Sequence, residues 1–491
     1  MNNITKAKSL LVSGGYTCVL CRGKTTHTSS LPGIEPMKDF IARGVDLAGF
    51  AAADKVVGLA AAKLFVEARV SAVHGEVLSK RAAELFTAHG ITHTHGELVD
   101  HIKNKKGTGI CPNEIRAARL ENGGKLGFGV MRMPLVDKDN PASFDYDQIN
   151  TMVDEFLASG FDYFDTAYVY HDGNSEAMMK RCVTDRYPRD CFRAATKLPI
   201  WHLKTKADMQ RIFDKQLENC GVEYIDNYLL HAINAATYKT IKKFDAFGFG
   251  FKLKEQGRIK KFGFSFHDTP DLLEQILTDQ PNVDFVQLQI NYVDWENPAI
   301  ASRRCYEIAR EHNIPIIVME PVKGGTLATG LPKEALELLT PPASPASWAV
   351  RYCATLEGVE TVLSGMSTFD QITDNTTCMR AFEPLTDDEQ QTVKKVAEII
   401  TRNTAVACTG CGYCTKGCPK NIAIPDYFTL YNDSKRNPSA FVPGMYYRNL
   451  SVTRGKASDC VKCGACEGLC PQKLEIIRHL ADVAGHFENG G

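Results

Sequence analysis

Cys408, Cys411, Cys414 and Cys418, followed by Pro419, spell CxxCxxCxxxCP, and Cys460, Cys463, Cys466 and Cys470, followed by Pro471, spell it again. Three closely spaced thiolates can wrap three corners of an iron–sulfur cube. The fourth, turned away by its proline, reaches the neighbouring cube. This spacing assigns Cys408, Cys411, Cys414 and Cys470 to one [4Fe–4S] cluster, and Cys460, Cys463, Cys466 and Cys418 to the other. Zinc would more usually show two separated CxxC pairs, and a disulfide framework would need no such repeat. The duplicated run with its trailing proline argues against both, so the expected chemistry is transfer of single electrons.

A second set of reacting groups lies upstream. Asp165 and Tyr170 follow FDYFDTA, Lys197 closes FRAATKL, and His231 closes IDNYLLH. Together they can deliver a proton to a carbonyl while hydride arrives at its carbon. A tyrosine hydroxyl, ordinarily near pKa 10, is a poor acid at neutral pH unless something stabilises its anion. A lysine ammonium can do that, and a carboxylate can hold the lysine charged and in place. The histidine would then polarise or orient the carbonyl oxygen.

These groups need a frame that brings strand ends together. From Lys125 to about Glu383 the chain alternates short apolar strands with amphipathic helices: KLGFGVM, FDYFDTA, FRAATKL, IDNYLLH, KKFGFSF, FVQLQIN, PIIVMEP and TVLSGM. Eight such units at this length predict a (β/α)8 barrel, with chemistry at the C-terminal ends of its strands. Residues 1–110 read as a small α/β domain, with a strand over Tyr16–Cys21 and a helix over Ala53–Ala68 that has Asp54 near its N-terminus. A second strand (SAVHGEV) and a helix from Ser79 to Gly90 follow. Residues 104–124 read as a connection. Residues 385–485 read as a helical two-cluster domain, because 41 residues separate Cys418 from Cys460, more than a compact one needs.

The chain resembles the aldo-keto reductase superfamily at its reacting groups. The family pattern DTAxxY…E is matched by Asp165, Thr166, Ala167, Tyr170 and Glu176, followed by Thr196-Lys197 and by the LLH ending at His231. The resemblance implies that Tyr170 is the general acid/base, that Lys197 and Asp165 tune it, and that His231 positions a small carbonyl or alcohol substrate. Tyr168 follows the same strand and competes, but the five-residue offset of Tyr170 from Asp165 fits the family. With the cysteine repeat, the chain looks like a bacterial and archaeal subgroup fused to a two-cluster ferredoxin domain. The resemblance spans residues 125–475.

Family members hold the nicotinamide through residues after the fifth and sixth strands, here Ser265 and Gln287. Met319 stands where an aromatic residue usually stacks on that ring. Gly324 and Gly325 would let the backbone approach a pyrophosphate. After the eighth strand, SGMSTFDQITDN resembles the adenosine-binding loop and ends in the expected Asn375. The positions of the 2′-phosphate cations are Gly365 and Gln371, so NADH, NADPH, a flavin or no nucleotide at all stay open. His267 has no assigned role. Tyr168, Tyr292 and Trp295 are candidate pocket walls.

The amino-terminal strings FAAADKVVGLAAAKLFVEA and GTGICPNE resemble a small uncharacterised bacterial domain family whose fold is similar to cytidine deaminases. A zinc deaminase needs H-x-E on one helix and P-C-x-x-C on the next, and neither stands at the usual place. His89, His93, His95 and His101 could bind a metal but read better as surface residues, and Cys111 as a packing residue. A ligand-sensing or docking role is the expectation.

The 491 residues have a formal net charge of −1, which offers no field to nucleic acid or anionic lipid. No apolar run reaches a membrane span, and the amino terminus lacks a signal-peptide core. The remaining cysteines are scattered singly, as in a reducing cytosol, and exposed cubanes suit an anaerobic host. Hydride carries two electrons and a cubane one. The clusters therefore imply a bound flavin, a separate redox partner protein, or a structural role. The rival reading is an electron-transfer or redox-sensing subunit whose barrel is a binding scaffold.

Overall fold

A computed structural model describes residues 2–119, 124–329, 331–340, 343–402, 405–408, 410, 412–438, 440–470 and 474–488. Cys411 and Pro471 lie outside the described residues. The chain divides into two compact units: Met1–Gly124 with Asn150–Asp162 and Arg186–Phe192, and the remainder.

The first unit has a five-stranded sheet in the order Thr25–Ser29, Cys18–Arg22, Ala51–Val57, Ala72–Ser79, Thr92–Val99. The first two pairings are antiparallel and the last two parallel. The helix expected over Ala53–Ala68 is corrected by this arrangement. Ala51–Val57 is the central strand, and helix begins only at Leu59, running to Glu67. Alanine favours helix locally, but a sheet centre buried on both faces leaves room only for small side chains, and Ala52 and Ala53 are fully buried. Asp54 therefore sits in the sheet rather than at a helix N-terminus. Burial pushes its carboxyl up to about 7.

The stretch read as a connection contains another helix, Pro112–Arg119. Its Glu114 accepts hydrogen bonds from the amides of Leu59 (2.7 Å) and Ala60 (3.1 Å), capping the Leu59–Glu67 helix. That explains Gly58, where a Cβ would lie 2.4 Å from the Glu114 carboxylate. A cap supplied from 55 residues away leaves no local signal. The histidines do not converge. His89 bonds the Leu85 carbonyl, His93 packs on Phe86, and His95 is exposed on the edge strand.

The second unit contains the closed parallel barrel. Its strands are Leu126–Gly129, Tyr163–Asp165, Arg193–Pro199, Ile225–Ile233, Ile259–Phe266, Phe285–Gln289, Ile316–Met319 and Val359–Ser364. Each matches one of the eight apolar strings. Tyr163, Ala195, Leu229, Phe285, Ile317 and Leu363 fill the interior. The bulk of Tyr163 and Phe285 is accommodated by glycine on the first and fifth strands. A Cβ on Gly263 would lie 2.3 Å from the Phe285 carbonyl oxygen, and one on Gly127 2.6 Å from Leu363.

The helix Asp387–Thr401, opened by a Thr386–Glu389 capping box, leads out of the barrel. The carboxy-terminal helices are Tyr413–Lys416, Ile424–Arg436, Phe441–Leu450, Ala465–Leu469 and Ile476–Phe487. They enclose a core of Tyr427, Phe428, Tyr446, Tyr447, Leu480 and Val483. No helix among the described residues is long and apolar enough to cross a membrane.

Candidate active site and cluster region

At the C-terminal ends of the second and third strands, Asp165 and Lys197 are 3% and 1% exposed. Lys197 Nζ lies 2.5 Å from Asp165 Oδ1 and 2.7 Å from the Thr166 carbonyl oxygen. It lies 3.5 Å from the Tyr170 hydroxyl. Burial opposes a charge on Lys197, but the attraction of Asp165 and Tyr170 outweighs it and raises its pKa. Burial raises the Tyr170 pKa, while the Lys197 ammonium pulls it back. Tyr168 is placed elsewhere, edge-on to His202 at 6.0 Å.

The His231 ring lies 5.9 Å from that of Tyr170 and 5.1 Å from that of Trp201, which is half-exposed at the rim. Burial, the Lys197 charge and His267 hold the His231 imidazole well below its ordinary pKa. Its Nδ1 is buried with no hydrogen-bond partner. His267 follows the fifth strand and is pushed down to about 4 by burial. Tyr446 of the carboxy-terminal helices packs edge-on against it at 5.9 Å.

A buried network that adds Gln216, Asn219 and Tyr228 to Glu176 and Thr196 braces Lys197 from behind. Glu176 accepts from Thr196 Oγ1 (2.6 Å), Gln216 Nε2 (2.9 Å) and Asn219 Nδ2 (3.1 Å). Gln216 also donates to the Lys197 carbonyl oxygen (3.0 Å) and accepts from Tyr228. Gln216 lies one helix after Lys197, on Ala207–Cys220. A lone glutamine on an amphipathic helix carries no signal of this in the sequence.

Ser265 and Gln287 pair in register on the fifth and sixth strands. The Ser265 hydroxyl accepts from the Ala232 amide (2.8 Å). Gln287 Nε2 reaches Met319 Sδ at 3.6 Å, leaving its buried Oε1 without a partner. Asn375 Oδ1, on the helix after the eighth strand, is likewise buried and unpartnered. Two orphaned amide oxygens suit a ligand carrying amide and amine groups. Gly324 and Gly325 both have positive φ, +66° and +101°, in the turn after the seventh strand, and Gly365 follows the eighth.

Arg132, in the single turn after the first strand, lies against both glycine positions. A Cβ on Gly324 would be 3.7 Å from its Nη2, and one on Gly365 4.0 Å from its Nη1. It faces Glu320 at 3.8 Å. Cations are expected after the eighth strand, at Gly365 and Gln371, whereas this one comes from the first.

The neighbouring Lys323 bridges barrel and carboxy-terminal helices, bonding Asp294 (2.5 Å) and Asp433 (3.2 Å), both buried. Asn297 and Arg436 complete the shell around Asp433. Asn449 adds a second tie, donating to the His267 carbonyl oxygen and accepting from Asn234.

In the cluster region, Cys418, Cys460, Cys463 and Cys466 line one cavity with Ile422, Ile424 and Leu480. These are the four thiols expected on one cluster, the crossing cysteine among them, in an apolar setting. Gly412 and Gly464, at the same place in both motifs, have φ of +72° and +73°. The left-handed residue turns the backbone into a short helix that presents the third thiol. Cys414 is buried in the core of the carboxy-terminal helices, with Cys408 and Cys470 partly buried against it; the fourth thiol of that set, Cys411, is outside the described residues.

The aldo/keto reductase family model matches residues 125–335, a domain of unknown function (DUF1893) matches residues 6–126, and a 4Fe-4S dicluster domain matches residues 407–475. The chain is 24% identical over 277 residues to the uncharacterized oxidoreductase YqkF of Bacillus subtilis, covering 49% of this chain and 84% of that protein. It is 28% identical over 222 residues to an aldo-keto reductase of Mycolicibacterium vanbaalenii, covering 45% of this chain and 73% of that protein. A solved aldo-keto reductase from Bacillus halodurans aligns at 26% identity over 55% of this chain and 91% of that one, with a TM-score of 0.45. The chain thus matches the aldo/keto reductase family over residues 125–335, between a stretch that matches DUF1893 and one that matches a 4Fe-4S dicluster domain, which supports an oxidoreductase.

Proposed function

We propose that the barrel interconverts a small carbonyl and its alcohol, with Tyr170 as the general acid/base, and that two [4Fe–4S] clusters pass electrons to or from the same polypeptide. The observation that supports this best is the chain of contacts from buried Asp165 through Lys197 to the Tyr170 hydroxyl. In the reducing direction Tyr170 donates its proton to the carbonyl oxygen. The developing phenolate is stabilised by Lys197, whose charge Asp165 maintains. His231, neutral at physiological pH because burial depresses its pKa, orients the carbonyl oxygen by a hydrogen bond rather than as a cation. The brace on Thr196 and the Lys197 carbonyl keeps the ammonium aimed at Tyr170.

A nicotinamide dinucleotide would supply hydride at the carbonyl carbon. Ser265 and Gln287 would hold its carboxamide, Gly324, Gly325 and Gly365 would admit its phosphates beside Arg132, and Asn375 would meet its adenine. Two cubanes on the eight motif cysteines would supply one-electron transfer. Because hydride and cubanes differ in electron count, a flavin or an external redox partner completes this reading.

The test is Tyr170→Phe beside Tyr168→Phe in anaerobically purified, cluster-replete protein, assayed with aromatic aldehydes and either dinucleotide. Tyr170→Phe loses about 10²–10⁴ in kcat/KM, the usual share of a general acid, while Tyr168→Phe stays within a few-fold. The reverse order would transfer the role to Tyr168, and equal activity in both variants would remove it from either.

A further inference from the structure

Residues 416–470 carry eight lysines and arginines against four acids, in a chain whose formal net charge is −1. Asp433 is buried and held by Lys323, and burial pushes the Asp426 carboxyl up to about 6. Glu467 accepts from the Ile477 amide (2.9 Å) and Asp459 from the Lys456 amide (2.8 Å). By contrast Lys416, Lys420, Arg454 and Lys462 are exposed and make no ion pair among the described residues. They surround one set of cluster thiols. Lys420 and Val461 line the cavity of Cys418, Cys460, Cys463 and Cys466, and Lys462 stands between two of those cysteines in the chain. Arg454 donates to Asn421, the neighbour of Lys420, at 2.8 Å. Leu469 lies over Gly417, the neighbour of Lys416, where a Cβ would be 2.9 Å from its Cδ1. Val461 and Leu469 are left 54% and 49% exposed. Among the described motif cysteines, Cys463 alone is exposed.

We infer that this face docks a small acidic one-electron carrier protein, with Val461 and Leu469 at the centre of the contact and Lys416, Lys420, Arg454 and Lys462 at its rim. The inference rests on the electron transfer proposed above for the clusters and gives that transfer its point of exchange. Apolar side chains inside a polar rim are the usual anatomy of a protein contact. Electron-transfer complexes are small and short-lived, and their partners are brought together by opposite charge. An electron crosses protein readily only over a short distance, so the carrier must settle where a cluster thiol comes to the surface. Cys463 meets that condition. Nucleic acid and lipid headgroups answer the same charge but gain nothing from the edge of a cubane. In the exchange the reduced carrier loses one electron and the cubane gains it; no bond forms or breaks and no proton moves.

The experiment mixes anaerobic, cluster-replete full-length protein with an acidic flavodoxin photoreduced to its hydroquinone. Transfer is read as the blue semiquinone that appears when the flavodoxin gives up one electron. The wild-type second-order rate is fast at low salt and falls steeply as salt rises, because the screening length shrinks from about 30 Å at 0.01 M to about 3 Å at 1 M. Lys420→Glu with Lys462→Glu slows transfer about tenfold or more at low salt, the scale on which steering acts, with iron and sulfide unchanged. Lys252→Glu with Lys260→Glu makes the same change in net charge at the N-terminal end of the fifth barrel strand and leaves the rate as in the wild type. Photoreduced deazaflavin, a small reductant that needs no docking, reduces the clusters equally fast in all three proteins. If Lys462→Glu lowers the iron content, Lys416→Glu with Arg454→Glu takes the place of the first pair. A salt-independent rate, equal slowing in both pairs, or no transfer to clusters that deazaflavin does reduce would each overturn the docking surface. Clusters that deazaflavin also fails to reduce would overturn the proposed electron transfer along with it. Carbonyl reduction takes no part in these readings, so the barrel chemistry stands or falls separately.

Discussion

Replacing Asp165 by asparagine keeps the shape of the side chain and removes the negative charge 2.5 Å from Lys197 Nζ. Lys197 is 1% exposed, so water cannot substitute for the lost carboxylate. Breaking one partner of a buried ion pair costs about 3–5 kcal/mol. Part of that cost appears as a lowered Lys197 pKa, because the desolvated ammonium has lost its counter-charge. In the wild type the pair raises this pKa above its ordinary 10.5, so the ammonium persists across the neutral range. In Asp165→Asn it deprotonates at a lower pH than in the wild type. The tyrosinate then loses its stabilising cation, so kcat/KM falls as pH rises through that region, on a limb the wild type lacks. The assay is carbonyl reduction from mildly acidic to alkaline pH at saturating dinucleotide, with chemical denaturation run alongside. A flat profile at wild-type rate, or unchanged stability, would refute the claim that Asp165 holds Lys197 charged.

The other predictions test separate contacts. Cys418→Ser combined with Cys463→Ser loses about four irons of eight, no more than either change alone, whereas Cys418→Ser combined with Cys408→Ser loses all eight. Iron and sulfide analysis reads this, and full loss in the first pair would break the crossed ligand assignment. The Asp54 carboxyl is raised from 3.8 to about 7 by burial, so its stabilising effect is complete below about pH 4 and is lost as pH rises through 7. The wild type accordingly loses roughly 4 kcal/mol between those limits. Asp54→Asn removes that slope, and denaturant melts with identical slopes would contradict it. Lys323→Met leaves Asp294 buried without its cation and costs about 3 kcal/mol. A change below about 1 kcal/mol in denaturant titration would mean the Lys323 bridge does not hold the cluster helices to the barrel.

The eight barrel strands were legible because each is a short apolar run between helical patterns, and period and length alone separate such units. Asp165, Tyr170, Lys197 and His231 could be placed together by position, because strand ends of a parallel barrel must meet at one face. Burial and long-range contact supplied what no window of sequence contains. Ala51–Val57 is strand because it lies between two other strands, although its alanines favour helix. The Pro112–Arg119 helix gains its purpose from the distant amides that Glu114 caps. Gln216, Arg132 and Lys323 acquire partners only once loops and helices far apart in the chain are folded together. Residue type and spacing decide which chemistry a chain can perform; packing decides which charges are desolvated, and hence which of those groups hold the protonation state the chemistry needs.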